Sequence, residues 1–211
     1  MSDPFSEAAW DERYRSRDAL WSGKPNPYLV SECDGLTPGL ALDVGAGEGA
    51  DAIWLATRGW RVVASDISAV ALGRAVAHAA ERGEDIASRI EWRHEDIASV
   101  EPAATTFDLV TAQYLHLPAA ARAVAFGALA AAVAPGGTLL IVGHHPSDLQ
   151  TSVPRPPLPE LFYTGDDIEA LIGGGWHIVT NAAPGRVATD PDGNAVTIHD
   201  TVFRAARRRT A

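Results

Sequence analysis

The segment LDVGAGEG, residues 42–49, constrains what this chain can fold into more than any other part of its sequence. Its first residues are typical of a buried strand, its glycines permit a tight turn, and a helix is expected to begin near Gly49. Glycines let the backbone approach a ligand where a Cβ atom would clash, and a helix N-terminus offers free N–H groups to a carboxylate or phosphate. Such a loop alone is weak evidence, because a tight strand-to-helix turn without a ligand uses the same residues.

The glycine spacing separates this loop from the dinucleotide-binding fingerprint, which is Gly-x-Gly-x-x-Gly. Here the third glycine comes one residue earlier, and an acidic residue, Asp43, precedes the first glycine by two positions. A carboxylate in that place would repel a pyrophosphate, whereas it could help to hold an amino group. The loop therefore favours a cofactor that contains an amino acid over a nicotinamide dinucleotide.

Predicted strands and helices alternate along the chain. Strands are predicted at 40–44, 61–65, 88–92, 107–112, 138–143, 176–180 and 195–203, and longer helices at 49–58, 68–82, 118–134 and 164–172. This alternation predicts a mostly parallel sheet with helices on both faces, and the last two strands are expected to be antiparallel to each other because no helix lies between them. We expect one domain over residues 1–211, with a doubly wound α/β fold.

Composition and charge narrow the classes of partner. The formal net charge is −10, which disfavours binding to the phosphate backbone of nucleic acids. Residues 123–143 contain no charged side chain, yet the turn at 135–137 interrupts them, so a membrane span is not expected. Cys33 is the only cysteine, and residues 1–10 lack the apolar core of a secretory signal. We expect a cytoplasmic protein without nucleic-acid or membrane partners, and its oligomeric state cannot be predicted.

Acidic residues also follow the second and third predicted strands. Asp66 ends the second strand, where a carboxylate can accept hydrogen bonds from both hydroxyl groups of a ribose. Asp96 follows the third strand and could accept a hydrogen bond from an adenine amino group, with Ile97 against the ring. The alternative is that each aspartate caps a turn or a helix, which is common after a strand.

Together with FDLV at 107–110 and APGGTL at 134–139, these motifs resemble those of class I S-adenosylmethionine-dependent methyltransferases, over residues 39–145. The resemblance implies a Rossmann-like seven-stranded sheet with an antiparallel last strand, S-adenosylmethionine as cofactor and S-adenosylhomocysteine as product. It assigns the methionine end of the cofactor to Gly45, Gly47 and Gly49, its ammonium group to Asp43, its ribose to Asp66, and its adenine to Asp96 and Ile97. The predicted cofactor-binding residues in this part of the chain also include Ala46, Ile67 and Gln113.

The N-terminal segment carries a second resemblance. WDERY at 10–14 and WSGKPNP at 21–27 are similar to the opening of the thiopurine, thiol and halide methyltransferases and of the related tellurite-resistance methyltransferases. This resemblance implies that residues 1–35 form a cap, with Trp10, Tyr14 and Trp21 over the cofactor, where cation–π attraction would favour a sulfonium. The alternative is that these aromatic residues only dock a terminal helix on the core. Ser22 departs from the acidic residue that these relatives carry after the second tryptophan.

Candidate catalytic residues follow the fourth and fifth predicted strands, at the edge where substrates bind in such sheets. They are His116, His144 and His145, whose side chains titrate near neutral pH. A helix cap or another structural role is the alternative for His116. No metal site is expected, because adjacent histidines seldom converge on one ion. The proline-rich segment 146–163 is either a lid over this pocket or a rigid surface connection.

The preferred function is methyl transfer from S-adenosylmethionine to a small-molecule acceptor, with a soft nucleophile such as a thiol suggested by the N-terminal resemblance. A thiolate acceptor needs no base, whereas a phenol or an ammonium group needs one. A non-catalytic module that binds S-adenosylmethionine is the main alternative, because binding and catalysis use separate residues. A nicotinamide-dependent oxidoreductase on a similar sheet is a further alternative, which the glycine spacing and Asp43 disfavour.

Overall fold

A computed structural model describes residues 3–99, 104–156 and 158–209, and these residues contain a sheet of eight strands. The strands are β1 (Leu40–Val44), β2 (Arg61–Asp66), β3 (Ile90–His94), β4 (Phe107–Gln113), β5 (Val133–His144), β6 (Trp176–Ala182), β7 (Gly185–Thr189) and β8 (Ala195–Arg207). The order across the sheet is β3-β2-β1-β4-β5-β8-β6, with β7 also paired to β8. Strands β1 to β5 are parallel, and β8 is antiparallel to its three neighbours. The predicted doubly wound, mostly parallel fold is confirmed.

Helices precede β1 and lie between later strands, and some of them begin at a residue whose side chain caps the helix. They are α1 (Glu7–Arg15), α2 (Pro27–Glu32), α3 (Ala50–Thr57), α4 (Ala69–Glu81), α5 (Glu84–Ala87), α6 (Ala119–Ala132) and α7 (Gly165–Ile172), with short 3-10 helices at Pro146–Gln150 and Pro159–Leu161. The Ser68 hydroxyl accepts a hydrogen bond from the Ala71 amide at the start of α4. At α7, Thr164 and Asp167 form the reciprocal capping box that the sequence predicts.

The central strand β5 is buried on both faces, which places one apolar cluster on each side of the sheet. Leu139 and Ile141 belong to the cluster that contains Phe126 and Leu129 of α6. The alternate residues of β5 belong to the other cluster, which contains Leu29 of α2 and residues of α3. None of the helices in the described ranges is long and apolar enough to cross a membrane, and the uncharged run 123–143 divides between α6 and β5.

Strands β3, β5 and β7 differ from the sequence predictions. Strand β5 is predicted at 138–143 but begins at Val133, so the last residues of the predicted helix 118–134 and the predicted turn at 135–137 belong to this strand, whose register against β4 shifts there. The third strand was expected at 88–92 and lies at Ile90–His94, because residues 84–87 form the short helix α5. Strand β7 was not predicted at all. It pairs only with β8 and its Val187 is 73% exposed, so its sequence lacks the pattern of a half-buried strand. Seven strands form the continuous path across the sheet, as expected, and β7 is added beside β8.

Candidate cofactor and acceptor site

The glycine loop follows β1 and leads into α3, as the sequence predicts. Gly45, Gly47 and Gly49 have φ angles of 74°, 54° and 87°, in the left-handed region that favours glycine. The amides of Gly45 and Ala46 donate to the carbonyl oxygen of Ser65, at 2.9 and 3.0 Å. A Cβ atom on Gly49 would lie 2.7 Å from the Trp92 ring, so close packing between α3 and its neighbours requires this third glycine.

Asp43 is buried at the end of β1, and its Oδ2 atom has no hydrogen-bond partner among the described residues. Burial, together with the charges of Asp51 and Asp66, raises the pKa of Asp43 well above its usual range. Burial also raises the pKa of Asp51 to about 6, and its Oδ1 accepts a hydrogen bond of 2.6 Å from the Asn26 amide. A buried, unpartnered carboxylate oxygen beside two more acids is a favourable place for a cation.

Asp66 lies at the end of β2, where the sequence places it, but backbone amides already occupy its carboxylate. Oδ2 accepts from the Gly47 amide and Oδ1 from the Ser68 amide, both at 2.8 Å. Burial nevertheless raises its pKa. Asp66 therefore fixes the shape of the glycine loop and the start of α4 in this structure, and its assignment to a ribose stays a prediction.

The predicted adenine residues lie beside the N-terminal segment. Ile67 and Asp96 line a cleft of about 420 Å³ whose other walls include Phe5, Glu7 and His94. Asp96 accepts hydrogen bonds from the Ala98 amide and the Ser99 hydroxyl, at 2.9 and 3.1 Å, which is the turn-capping role considered from the sequence. Ile97 instead packs against the core cluster of α6.

Tyr14 and Trp21 contact the glycine loop. The Trp21 Nε1 atom donates to the Tyr14 hydroxyl at 3.0 Å, and a Cβ atom on Gly47 would lie 3.0 Å from that hydroxyl. Trp10 lies one helical turn earlier, with its ring 6.3 Å from that of Tyr14 and the Arg13 guanidinium 4.5 Å above it. Tyr14 is buried and Trp21 is 56% exposed, so only the inner part of this aromatic segment packs on the loop.

Glu48 and Arg74 link the N-terminal segment to the glycine loop through hydrogen bonds and an ion pair. Neither residue is among the site residues predicted from the sequence. Glu48 Oε2 accepts hydrogen bonds from the Leu20 and Trp21 amides, both at 3.2 Å, while its Oε1 lies 2.8 Å from Arg74. Arg74 also donates to the carbonyl oxygens of Tyr14 and Arg17, at 2.7 and 2.8 Å. Glu48 lies inside the glycine motif, but the motif alone predicts no partner for its side chain.

His116 and His144 come together at the ends of β4 and β5. Their rings stack with centroids 4.9 Å apart and planes 15° apart. The ring centroid of Tyr114 lies 4.8 Å from that of His144, and the ring centroid of Phe162 lies 6.1 Å from that of His116, so further aromatic rings flank the pair. Gln113 precedes this group, and its buried Oε1 has no partner among the described residues.

The histidine pair adjoins the glycine loop through one residue. Leu115, between Tyr114 and His116, has its Cδ1 atom 3.5 Å from the position of a Cβ on Gly45. We call the cluster of rings formed by Tyr114, His116, His144 and Phe162 the aromatic pocket. It lies at the carboxyl ends of the parallel strands, as predicted for the acceptor.

The two histidines have different electrostatic surroundings. His116 Nδ1 lies 2.8 Å from the Leu161 carbonyl oxygen, and burial lowers the pKa of His116 to about 4. His144 Nδ1 lies 3.4 Å from Oδ1 of Asp200, which is fully buried and pairs through Oδ2 with Arg186 Nε at 2.5 Å. Burial opposes ionisation of Asp200, but interactions with His144 and Arg186 hold its pKa below the usual range. No sequence motif marks Asp200 or Arg186, which reach the pocket from β8 and β7.

The structure does not bring His145 into the aromatic pocket. Its Nδ1 accepts from the Ser147 amide at 3.2 Å and caps the 3-10 helix, and its ring faces His199 with centroids 6.4 Å apart. Adjacent residues at a strand end point in different directions, which separates His145 from His144. The described residues contain no group of three or more histidine, cysteine or acidic side chains arranged to hold a metal ion.

Segment 146–163 borders the pocket and is anchored at both ends; residue 157 within it lies outside the described ranges. Near its start, Asp148 is fully buried, pairs with Arg155 at 2.7 Å and accepts from the His199 amide at 2.7 Å. Near its end, Phe162 and Tyr163 are buried against the pocket, whereas Leu158 remains 38% exposed. Both alternatives for this segment, a lid and a rigid connection, stay predictions.

Comparisons with known proteins agree with this geometry. Residues 41–137 match the family model described as a methyltransferase domain. Among curated protein sequences, none matches the chain. A structure solved in work on the conversion of a disulfide bond into a thioacetal group during echinomycin biosynthesis has a TM-score of 0.76 and 23% identity, over 97% of this chain and 93% of that one.

Two further solved structures are similar. TehB from Haemophilus influenzae has a TM-score of 0.67 and 17% identity, over 96% of this chain and 67% of that one. Magnesium protoporphyrin IX methyltransferase (ChlM) from Synechocystis PCC 6803, with bound S-adenosylhomocysteine, has a TM-score of 0.66 and 20% identity, over 97% of this chain and 96% of that one. These structures show the shared fold, and the family match covers the sheet from β1 into β5.

Proposed function

We propose that this protein, a class I S-adenosylmethionine-dependent methyltransferase, methylates a small-molecule acceptor held in the aromatic pocket, with a soft nucleophile such as a thiol as the preferred acceptor. The observation that carries the proposal is the proximity of Leu115, whose Cδ1 atom lies 3.5 Å from the position of a Cβ on Gly45; it brings the pocket beside the loop proposed to hold the methionine end of the cofactor. Methyl transfer is an in-line displacement that depends on alignment of donor and acceptor, so the two sites must adjoin.

The residues of the glycine loop fit S-adenosylmethionine. The unpartnered Oδ2 of buried Asp43 would receive the ammonium group, and Gly45 to Gly49 would pass beside the methionine end. The cleft with Ile67 and Asp96 would take the adenosine, with Asp66 at the ribose after its amide contacts rearrange. Trp10, Tyr14 and Trp21 would cover the cofactor. The cofactor supplies an activated methyl group, and the protein contributes orientation and exclusion of water.

The chemistry of the pocket supports a small, uncharged acceptor. Its walls include aromatic rings and the His116 imidazole, and burial lowers the pKa of His116 to about 4, so this ring itself carries no charge at neutral pH. Soft sulfur makes favourable contacts with aromatic rings. The similar structure from echinomycin biosynthesis comes from work on sulfur chemistry, which agrees with a thiol.

The test is release of S-adenosylhomocysteine from purified protein and S-adenosylmethionine across a panel of acceptors. The panel contains small thiols, thiopurines, iodide, tellurite, phenols and amines, with a reaction without acceptor as the blank. We expect turnover with thiols to exceed turnover with phenols and amines. His177, exposed on β6, provides a matched control, and His177→Gln is expected to keep wild-type rates while His116→Ala loses them.

Other outcomes distinguish the alternatives. Turnover limited to phenols or amines would reject the soft nucleophile and keep the methyltransferase pocket. Binding of S-adenosylhomocysteine by calorimetry, without turnover of any acceptor, would favour the non-catalytic binding module. Loss of turnover in His177→Gln as large as in His116→Ala would show that the pocket has no special role.

A further inference from the structure

We infer that the acceptor enters the aromatic pocket with a dissociable proton, that His144 Nε2 receives this proton, and that Asp200 and Arg186 are positioning residues for the His144 ring. The inference rests on the proposed function and narrows its acceptor to a molecule with an S–H, O–H or N–H group at the reacting atom. It follows from the groups that lie beside the Nδ1 atoms of the two stacked imidazoles, the Leu161 carbonyl oxygen for His116 and the Asp200 carboxylate for His144.

The partner of His116 fixes its tautomer. The Leu161 carbonyl oxygen, 2.8 Å from Nδ1, can only accept a hydrogen bond, so Nδ1 carries the proton. Because burial lowers the pKa of His116 to about 4, the ring is neutral at pH 7 and Nε2 keeps its lone pair. That Nε2 atom is buried and has no partner among the described residues. An unpartnered buried acceptor matches a hydrogen-bond donor on the bound molecule.

Asp200 is the acid that lies beside His144. Its Oδ1 atom is 3.4 Å from the buried Nδ1 atom of His144, which forms no hydrogen bond within the described residues. Because a carboxylate accepts hydrogen bonds and does not donate them, it favours the tautomer with the proton on Nδ1, and this leaves the lone pair of Nε2 free to take a proton. His144 is 20% exposed in its side chain, so it is more accessible than Asp200, which is fully buried. Arg186 holds the other carboxylate oxygen of Asp200 and balances its buried charge.

The charged groups around the pair decide which histidine takes the proton. His116 is near three groups that disfavour its cationic form, His144, Arg155 and Arg122. His144 instead faces the Asp200 carboxylate of β8, which is itself paired with Arg186 of β7. The remaining titratable neighbours are Tyr114 and Tyr28, whose pKa values burial and the charge of Asp200 raise, so both stay neutral.

The inferred step balances as follows. The nucleophilic atom of the acceptor bonds to the methyl carbon, the bond from that carbon to the sulfonium sulfur breaks, and the electron pair stays on sulfur. The acceptor proton passes to His144 Nε2 and then to solvent. In an S–H or O–H acceptor this is the only dissociable proton: before transfer it is donated in a hydrogen bond to His116 Nε2, which orients the acceptor, and it moves to His144 Nε2 as the new bond to the methyl carbon forms.

A pH series with a thiol acceptor tests this step. At pH 6.5 we expect His144→Gln to lower kcat/KM by about 100-fold or more, the scale of general base catalysis. The deficit is expected to shrink to less than about tenfold near pH 9, because a thiol with a pKa of about 8.5 is then largely ionised in solution. Asp200→Asn is expected to lower kcat/KM at pH 6.5 by a smaller factor, and this deficit is also expected to shrink near pH 9. A loss that is equal at both pH values would overturn the inference.

Matched controls separate this role from general damage. Asp192 lies exposed in the turn between β7 and β8, and Asp192→Asn, like His177→Gln, is expected to keep the wild-type pH profile. Calorimetry with S-adenosylhomocysteine is expected to give wild-type affinity for His144→Gln, which shows that the cofactor site survives. Absence of turnover with every acceptor of the panel would refute the proposed function, whereas wild-type kinetics in His144→Gln, with an acceptor that the wild-type enzyme methylates, would refute only this inference.

Nitrogen NMR of the histidine rings provides a second readout that needs no acceptor. In the complex with S-adenosylhomocysteine at pH 7.5, we expect both His116 and His144 to carry their proton on Nδ1. Asp200→Asn is expected to shift the His144 tautomer toward Nε2–H and to leave His116 unchanged. Detection of Nε2–H on either ring of the wild-type protein would contradict the inference, whatever the acceptor.

Discussion

At neutral pH the burial of Asp43 lowers the stability of the free protein, and binding of its proposed ligand would remove this penalty. Its pKa is raised by burial, by Asp51 and by Asp66, so the folded protein favours the protonated carboxyl more than the unfolded chain does. The contribution of such a group to stability is complete below the ordinary pKa of about 4 and is lost as pH rises toward the raised pKa. A bound ammonium group would reverse this preference by favouring the carboxylate.

Asp43→Asn is therefore expected to stabilise the free protein and to weaken cofactor binding. We expect a gain of about 1 kcal/mol or more in the free energy of unfolding at pH 7.5, which fades as pH falls toward 4. Affinity for S-adenosylhomocysteine is expected to fall by about 1–3 kcal/mol, the scale of a hydrogen bond to a charged group. Thermal unfolding and calorimetry measure the two effects. A variant with unchanged affinity would remove Asp43 from the cofactor site.

Gly49 and Gly73 offer a matched pair of substitutions. Gly49→Ala introduces a Cβ atom 2.7 Å from the Trp92 ring and 2.9 Å from Ala75, at a φ of 87°. We expect a loss of about 2–4 kcal/mol, from the left-handed backbone and overpacking together. Gly73 lies on the exposed face of α4 with nothing within 4 Å of an added Cβ, so Gly73→Ala is expected to stabilise by about 0.5–1 kcal/mol. Chemical denaturation compares the two, and equal effects would contradict the packing argument.

At the scale of elements, hydrophobic pattern and turn residues predict the strands that are buried on both faces. Strands β1, β2 and β4 lie where their apolar runs place them, and Asp43 and Asp66 follow because strand ends are visible in the sequence. The pattern fails where pairing is set by distant segments, as for exposed β7. Asp200 and Arg186 could not be predicted from the sequence for the same reason. Only the pairing of β8 with β5 and with β7 brings these two residues beside His144. Residue type predicts that His116 and His145 are candidates, and only tertiary contacts separate them.

The contacts of Glu48 and Arg74 give a prediction for the N-terminal segment. Glu48→Gln keeps the size of the side chain and removes the charge that pairs with Arg74, so residues 14–21 are expected to detach more often. Hydrogen exchange of the Leu20 and Trp21 amides is expected to accelerate about tenfold, which corresponds to about 1.4 kcal/mol. Amides of β5 serve as the internal reference and should exchange at the wild-type rate. Unchanged exchange at Leu20 and Trp21 would mean that packing of Tyr14 alone holds the segment.

For the whole molecule, cofactor binding is expected to raise thermal stability through mass action. S-adenosylhomocysteine at 100 times its Kd should add about 2.7 kcal/mol, which raises Tm by about 5–10 °C in a protein of this size. A formal net charge of −10 disfavours binding to nucleic acids, so RNA at the same mass concentration is expected to leave Tm unchanged. Differential scanning calorimetry tests both. A Tm that rises with RNA would contradict the expectation that nucleic acids are not partners.

The position of β8 ties the pocket to the order in which the chain is made. This strand follows all the others along the chain, yet it lies between β5 and β6 and carries Asp200 into the site beside His144. Because a domain generally folds as a unit, the parallel strands and the glycine loop are expected to complete their fold only after residues 195–207 have been synthesised. Until then the polar side of the acceptor pocket is missing. Competence for catalysis would then be acquired only when the last strand threads into the sheet.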